Sequence, residues 1–373
     1  MKLLVLAQIP PPLHGQSTMV RALLEGLRGS EDIEVLHSDL RLSDSHRDIG
    51  RWSCRKITRT FAAAFRTIAL QVRHRCDALY YVPAPPGKRG ALYRDWLILI
   101  LCRRLFPHLI LHWQGPGLAA WLDLKAMGIE RALSRLALGS ASLGVVLAEA
   151  LRADAEYFRA KRNVVVQNGI PDPGPPSGTR HCTRKQILFI GLCSEEKGLF
   201  SAADAVLAAN RATGTEKFHL VAAGPFGDLA TESRFRALAL AHGGVIRHAG
   251  FVEGAAKNDL FRTSRALLFP SRYPAEGAPL VVLEALAHDL PVVTTRWRAL
   301  PEIVTPECGR LVPSNEPEAI AAALLDLDEN PPPAGACRAR FLANYTIERH
   351  LESLKSALLS LAAPRESENS MPR

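Results

Sequence analysis

The chain has 373 residues, 47% hydrophobic and 22% charged, with a formal charge of +9, the balance of a globular chain of about two domains. The longest apolar run, WLILILC at 96–102, ends at Arg103 and Arg104 and falls far short of the ~20 residues of a membrane span, which excludes an integral membrane protein. Seven scattered cysteines with no CxxC or Cys/His ligand spacing argue against a disulfide scaffold or zinc site and for reduced thiols in a cytoplasmic protein.

The amino terminus, MKLLVLAQIPPP, has a short apolar stretch followed by prolines in place of a small-residue cleavage site, so it reads as a buried first strand and not as a signal peptide. From there, strands alternate with helical stretches, the pattern of parallel sheets covered on both faces. In the first half, strands are expected at 2–7, 33–37, 78–82, 108–113, 143–147 and 163–166. Helices are expected near 17–28, 52–74, 91–105, 129–138 and 149–158. The first strand runs into IPPPLHGQS, where Gly15 lets the chain pass close to a ligand before a helix begins near Ser17. The strand HLILHW carries His112 at its end, ahead of Gln114 and a GPG turn. A neutral imidazole there can orient a hydroxyl and stabilise developing charge, although a lone histidine is more often on the surface or satisfied in a core.

Residues 168–184, NGIPDPGPPSGTRHCTR, are dense in proline and glycine and form a linker between an N-terminal domain, 1–167, and a C-terminal one, 185–336. The second alternation places strands at 186–190, 218–223, 244–248, 266–270, 291–294 and 310–312. Helices are expected at 199–210, 229–242, 256–264, 280–288 and 317–327. A last helix, 337–363, carries Phe341, Tyr345, Leu351, Leu354 and Leu358 at helical spacing, and 364–373 reads as a disordered tail.

Ligands of open α/β sheets bind beyond the carboxyl ends of the strands, so the loops there hold the chemistry. The most telling is FPSRYPAEGAPLVVLEALA, 269–287, where Glu276 and Glu284 flank the opening of a helix that starts near Pro279, a residue suited to the first helical position. A helix entrance presents unpaired N–H groups and a partial positive charge, so the backbone of Gly277, Ala278, Pro279 and Leu280 suits anionic oxygens, and the carboxylates suit hydroxyls or a growing positive charge. The plainer reading leaves Glu276 solvated and Glu284 as a partner of the helix dipole.

This run resembles the signature PS-x-x-E-G-x-P/G-L-x-x-x-E-A of the retaining nucleotide-sugar glycosyltransferases of family 4, which have the GT-B fold. The resemblance implies two Rossmann-like domains with parallel sheets facing across a cleft, and a C-terminal helix crossing back to the first domain. It implies a UDP-sugar or GDP-sugar donor, a glycan or lipid-linked acceptor, and no metal or other cofactor. By the same resemblance Glu276 lies against the donor sugar, Glu284 binds the ribose, and residues 277–280 approach the sugar and diphosphate, although Pro279 has no N–H. His112 lies near the anomeric centre, and the loop with Gly15 closes over the donor, with His14 where many members have a second glycine. GLCSEEKG, 191–198, is similar to the family's G-R-x-x-x-E-K-G: Lys197 matches the diphosphate ligand, but Leu192 stands in place of the arginine, which Arg272 or Lys185 would have to replace. AAGPFGD and HAGFV resemble the glycine turn near the phosphates, with Gly224, and the base-reading segment, with Gly250, Phe251 and Val252.

No GxGxxG follows a strand and no GxxxxGK[ST] occurs, against dinucleotide and P-loop chemistry. The lone DxD, Asp326 and Asp328, ends a predicted helix, where it has no reason to hold a metal-bound diphosphate. Residues 1–165 carry 24 Lys and Arg against 14 Asp and Glu, and 51–76 holds seven basic residues and no acid. In that segment Ile57, Phe61, Phe65, Ile68 and Val72 share one helical face, which either lies on an anionic membrane surface, making the protein peripheral on the cell membrane's inner face, or packs on its own sheet. No recognition motif accompanies the charge, so nucleic acid is not expected. The expectation is a retaining glycosyltransferase of surface polysaccharide or glycolipid synthesis. A non-catalytic sugar-nucleotide-binding protein and a glycoside hydrolase stay open as alternatives.

Overall fold

The structure is a computed structural model that describes residues 1–11, 15–40, 54–175, 185–313 and 316–361. His14, residues 51–53, residues 176–184 of the linker and the 364–373 tail lie outside the described residues. The chain divides into two compact units: one comprises Met1–Val146, Arg152–Val166 and the segment from His350, the other Leu147–Leu151 and Gln167–Arg349.

The first unit is a parallel six-stranded sheet of β1 (Lys2–Ala7), β2 (Glu34–Asp39), β3 (Ala78–Tyr81), β4 (His108–Trp113), β5 (Leu143–Val146) and β6 (Asn163–Val165), ordered β2-β1-β3-β4-β5-β6. Strand order reverses between β1 and β3. Alternate residues of β1 enter opposite cores: Leu4 and Leu6 pack with Leu79, Tyr81 and Leu111, and Leu3, Val5 and Ala7 with Ala78, Tyr80 and Ile110. That two-sided burial explains why the strand sequences are continuously apolar. The connections are α1 (Gly15–Gly26), α2 (Cys54–His74), α3 (Arg89–Cys102), α4 (Leu118–Lys125), α5 (Gly128–Leu138) and α6 (Ala153–Tyr157).

Helix α4 fills what the sequence presented as a loop after the GPG turn. Its opening is capped from another helix: the Asp154 carboxylate accepts the Gly117 and Ala119 N–H groups, both at 2.7 Å, a long-range cap that local sequence does not show. The expected 149–158 helix is a 3-10 turn at Glu149–Leu151 followed by the short α6.

In α2 the buried face is Thr60, Ala63, Ala64 and Thr67, whereas Ile57, Phe61, Phe65 and Val72 are exposed, Phe65 at 64% and Val72 at 72%. Of the five stripe residues only Ile68 packs against the core, so the reading in which the whole stripe packs on the sheet does not hold; small residues fill the seam. No helix among the described residues is long and apolar enough to cross a membrane.

The second unit has β7 (Lys185–Ile190), β8 (Phe218–Ala223), β9 (Ile246–His248), β10 (Ala266–Phe269), β11 (Val292–Thr295) and β12 (Gly309–Val312) in the parallel order β12-β11-β10-β7-β8-β9. The order reverses between β7 and β10. The intervening helices are α7 (Leu199–Thr213), α8 (Leu229–Ala241), α9 (Gly254–Thr263), α10 (Leu280–Ala287), α11 (Leu300–Ile303) and α12 (Pro317–Glu329). The same alternation sends Leu188, Ile190, Leu267 and Phe269 to one core and Ile187, Phe189, Ala266 and Leu268 to the other.

The expected single helix over 337–363 is two, α13 (Ala336–Asn344) and α14 (Ile347–Leu359). It breaks at Tyr345 and Thr346 because the backbone there leaves the helix to pair with Ile170, whose N–H bonds to the Tyr345 carbonyl at 3.0 Å and whose carbonyl accepts the Ile347 N–H at 2.9 Å. Helix α13 packs in the second unit through Cys337 and Phe341, and α14 in the first through Leu354, Ala357 and Leu358.

Candidate active site

In the second unit the loops after β7 and β10 flank the reversal of strand order, the place where an open α/β sheet leaves a crevice. Lys197 lies on the first loop and Glu276 on the second. The sequence assigned them different jobs, and the structure brings them together: Lys197 Nζ contacts both carboxylate oxygens of Glu276 at 2.8 and 2.7 Å, and Ser271 Oγ donates to Oε2 at 2.5 Å. Glu276 is 4% exposed, so the plainer reading of it as a solvated loop residue fails. The Lys197 ammonium also sits over the Tyr273 ring, 4.7 Å from its centroid, in cation–π contact.

Two glycines make this loop packing feasible. At Gly198 (φ +87°) a Cβ would lie 2.3 Å from the Pro270 carbonyl oxygen, and at Gly224 (φ +125°), just past β8, 1.8 Å from that of Gly191. Only glycine fits either position. The Gly224 N–H bonds to the Gly250 carbonyl at 2.8 Å, so the expected glycine turn and base-reading segment are neighbours. Phe251 is exposed there and Val252 packs at the edge of a core.

Pro279 is the residue before α10 and not its first residue: with ψ 122° it is still extended, and its carbonyl accepts the Val282 N–H at 3.1 Å. The Gly277 and Ala278 N–H groups donate to no backbone group among the described residues. The Ala278 carbonyl is held by Asn168 Nδ2 at 3.0 Å.

Glu284 sits in the second turn of α10. Its Oε1 accepts from Lys257 Nζ of α9 at 2.6 Å, and its Oε2 is buried with no partner. Desolvation raises its pKa against the opposing pull of Lys257. A carboxylate oxygen removed from water without a donor is a place for a ligand hydroxyl.

Leu192, where the resemblance expects an arginine, is exposed. Lys185 does not replace the missing arginine, because its ammonium is bound to the buried Asp328 together with Lys217 and Arg265. Arg272 is paired with Glu195 at 3.7 Å and is largely exposed.

In the first unit Gly15 opens α1 in the loop after β1. His112, at the end of β4, is 1% exposed. Its Nδ1 is hydrogen-bonded to the Tyr80 hydroxyl, from the neighbouring strand β3, and its Nε2 is buried without a partner. Burial, and secondarily His350, lowers its pKa to about 3, and burial raises that of Tyr80. The imidazole is thus neutral at physiological pH. If Nδ1 were the donor, the Tyr80 hydrogen would be left unpaired as well. Tyr80 therefore donates to Nδ1, which places the imidazole hydrogen on Nε2. Tyr80, Ser271 and Lys257 are the supporting residues that sequence reasoning missed. Ser271, inside the PS motif, was the one with a signal.

Two parallel six-stranded units of this topology define the GT-B class of glycosyltransferase fold. The chain is similar to sucrose-phosphate synthase from Thermosynechococcus elongatus, with a TM-score of 0.75 and 16% identity over 97% of this chain and 99% of that one. It is also similar to Anabaena HepE in complex with UDP and glucose, with a TM-score of 0.66 and 16% identity over 96% and 100%. At that identity the likeness is one of fold. Residues 184–330 match the model of the glycosyl transferases group 1 family, a similarity that falls within the second unit. The chain is 29% identical over 191 residues to WcaL of Escherichia coli K12, named as a candidate colanic acid biosynthesis glycosyltransferase, covering 47% of this chain and 46% of that protein. It is 35% identical over 82 residues to O-antigen chain mannosyltransferase B of Escherichia coli, covering 22% and 21%. The matches thus span about half or less of the length of these curated relatives.

Proposed function

We propose that the chain is a retaining, metal-independent glycosyltransferase that moves a sugar from a UDP-sugar or GDP-sugar to a glycan or lipid-linked acceptor in bacterial surface polysaccharide or glycolipid synthesis. The observation that carries this reading is the arrangement at the strand reversal of the second unit, where Lys197, Glu276 and the entrance of α10 meet. The donor's diphosphate would draw Lys197 from Glu276 and take the N–H groups of Gly277 and Ala278. The released Glu276 carboxylate would then face the sugar as positive charge grows at its anomeric carbon. Glu284 Oε2 suits a ribose hydroxyl. His112 enters as a neutral donor through Nε2, able to hold a sugar hydroxyl and poorly suited to act as an acid. The DxD carboxylates are occupied by Arg310 and by the Lys185, Lys217 and Arg265 cluster, which supports a reaction without metal. Retention and the donor class rest on the motif resemblance, and the polysaccharide role on the named relatives.

A thermal-shift series with UDP, GDP and their sugars tests the site. A nucleotide at a hundredfold excess over Kd stabilises by ~2.7 kcal/mol, roughly 5 °C or more for a unit of this size, and Glu284→Ala loses most of that shift. A wild type that no nucleotide stabilises, or a variant that responds equally, removes the ribose assignment. Binding with neither transfer nor donor hydrolysis would favour the non-catalytic alternative.

The exposed stripe of α2, with Arg66 and Arg73 beside it and Ile100 and Leu101 exposed on the adjacent α3, fits peripheral attachment to an anionic bilayer on the cytoplasmic side. Phe61→Ser with Phe65→Ser should abolish sedimentation with phosphatidylglycerol vesicles and leave melting unchanged. Retained sedimentation would refute the attachment.

A further inference from the structure

The loop between β11 and α11 contains a non-glycine residue in the left-handed region, Arg298 at φ +53°. A long side chain occupies that region only when its surroundings hold it there, and such strained positions cluster at ligand sites. Arg298 Nε is buried without a hydrogen-bond partner, and the guanidinium lies 5.1 Å from the centroid of the Trp297 ring. No carboxylate among the described residues pairs with it.

Its location gives that charge a destination. β11 is the neighbour of β10, so the loop with Arg298 emerges beside the loop with Glu276 at the same sheet edge. The two loops are tied by Trp297 Nε1, which donates to the Tyr273 carbonyl at 2.8 Å, and Lys197 lies over the Tyr273 ring. A diphosphate arriving here meets a lysine already neutralised by Glu276, a leucine at position 192, and an Arg272 already paired with Glu195. Arg298 is a cation at that edge with unspent donors.

We infer that Arg298 is a phosphate-binding residue that supplies the second positive charge for the donor's diphosphate, replacing the arginine absent at 192. The inference rests on the nucleotide-sugar reading of the site. A guanidinium beside an indole, with its Nε donor unpaired, keeps N–H groups available for phosphate oxygens.

Arg298→Gly tests this without endangering the fold, because glycine adopts a positive φ freely; the variant should melt no lower than wild type. UDP, GDP and the corresponding nucleosides are titrated calorimetrically. Nucleoside diphosphate affinity should fall tenfold or more in Arg298→Gly and partly recover in Arg298→Lys, with nucleoside affinity unchanged. A diphosphate affinity within twofold of wild type overturns the assignment. So does an equal fall in nucleoside affinity, which would show a general loss of the site and no contact with the phosphates. If wild type binds neither nucleotide, the underlying reading of the site falls, and the inference with it.

Discussion

Replacing Tyr80 with phenylalanine deletes one oxygen from a fully buried pair and leaves the ring packed. Wild-type His112 has Nδ1 bonded to the Tyr80 hydroxyl and Nε2 without a partner. In Tyr80→Phe both nitrogens of the buried ring are left without a protein partner. An orphaned buried acceptor costs about 1–3 kcal/mol, partly offset because the phenol no longer has to be desolvated. For a unit of this size the unoffset cost is a fall in melting temperature of roughly 2–12 °C. The chemical consequence is more diagnostic than the stability loss. With Tyr80 present the imidazole hydrogen is fixed on Nε2; without it the tautomers become mixed. Long-range 1H–15N correlation of the His112 ring reads this directly, as two distinct nitrogen shifts in wild type moving toward averaged values in the variant. If Nε2–H holds a sugar hydroxyl, kcat falls with KM little changed. An unchanged tautomer together with unchanged stability would refute the reasoning, because it would mean that the hydroxyl does not organise the ring.

Three further outcomes follow from the same geometry. Because His112 has a folded pKa depressed to about 3, its contribution is present above the unfolded value of ~6.5 and is lost as pH falls; each unit below ~6.5 removes about 1.4 kcal/mol. Urea midpoints should therefore decline less steeply with acid in His112→Phe than in wild type, and parallel declines would contradict the buried neutral state. Lys197→Met leaves Glu276 buried with only Ser271 as a side-chain partner and should destabilise the second unit by ~2–4 kcal/mol; Lys197→Met combined with Glu276→Gln should recover much of that loss, and a purely additive double variant would dissolve the coupling. Gly224→Ala places a methyl against the Gly191 carbonyl in a strained conformation and should cost ~3 kcal/mol or more; chemical denaturation giving less than ~1 kcal/mol would show that the loop yields.

The alternation of strands and helices, the two-sided burial of the strands and the loop from 269 to 287 were legible in the sequence because each depends on local periodicity or on a contiguous motif. Contacts between distant segments were not legible. The helix break at Tyr345 and Thr346 is imposed by Ile170, some 175 residues away. Helix α4 is capped by Asp154, and the packing face of α2 is chosen by what fits its seam, so small residues face inward and phenylalanines outward. Likewise the sequence by itself placed His112 at a strand end, Lys197 and Glu276 in loops that follow strands, and Glu284 in the helix after the second of those loops, the region where an open sheet binds its ligand. Only the tertiary structure decided their state. Strand order sets Lys197 beside Glu276 as a closed ion pair, burial beneath Tyr80 fixes His112 as neutral, and the packing of α9 on α10 satisfies one oxygen of Glu284 and leaves the other open. Charge and protonation depend on neighbours in space, and the spacing of residues along a chain does not name those neighbours.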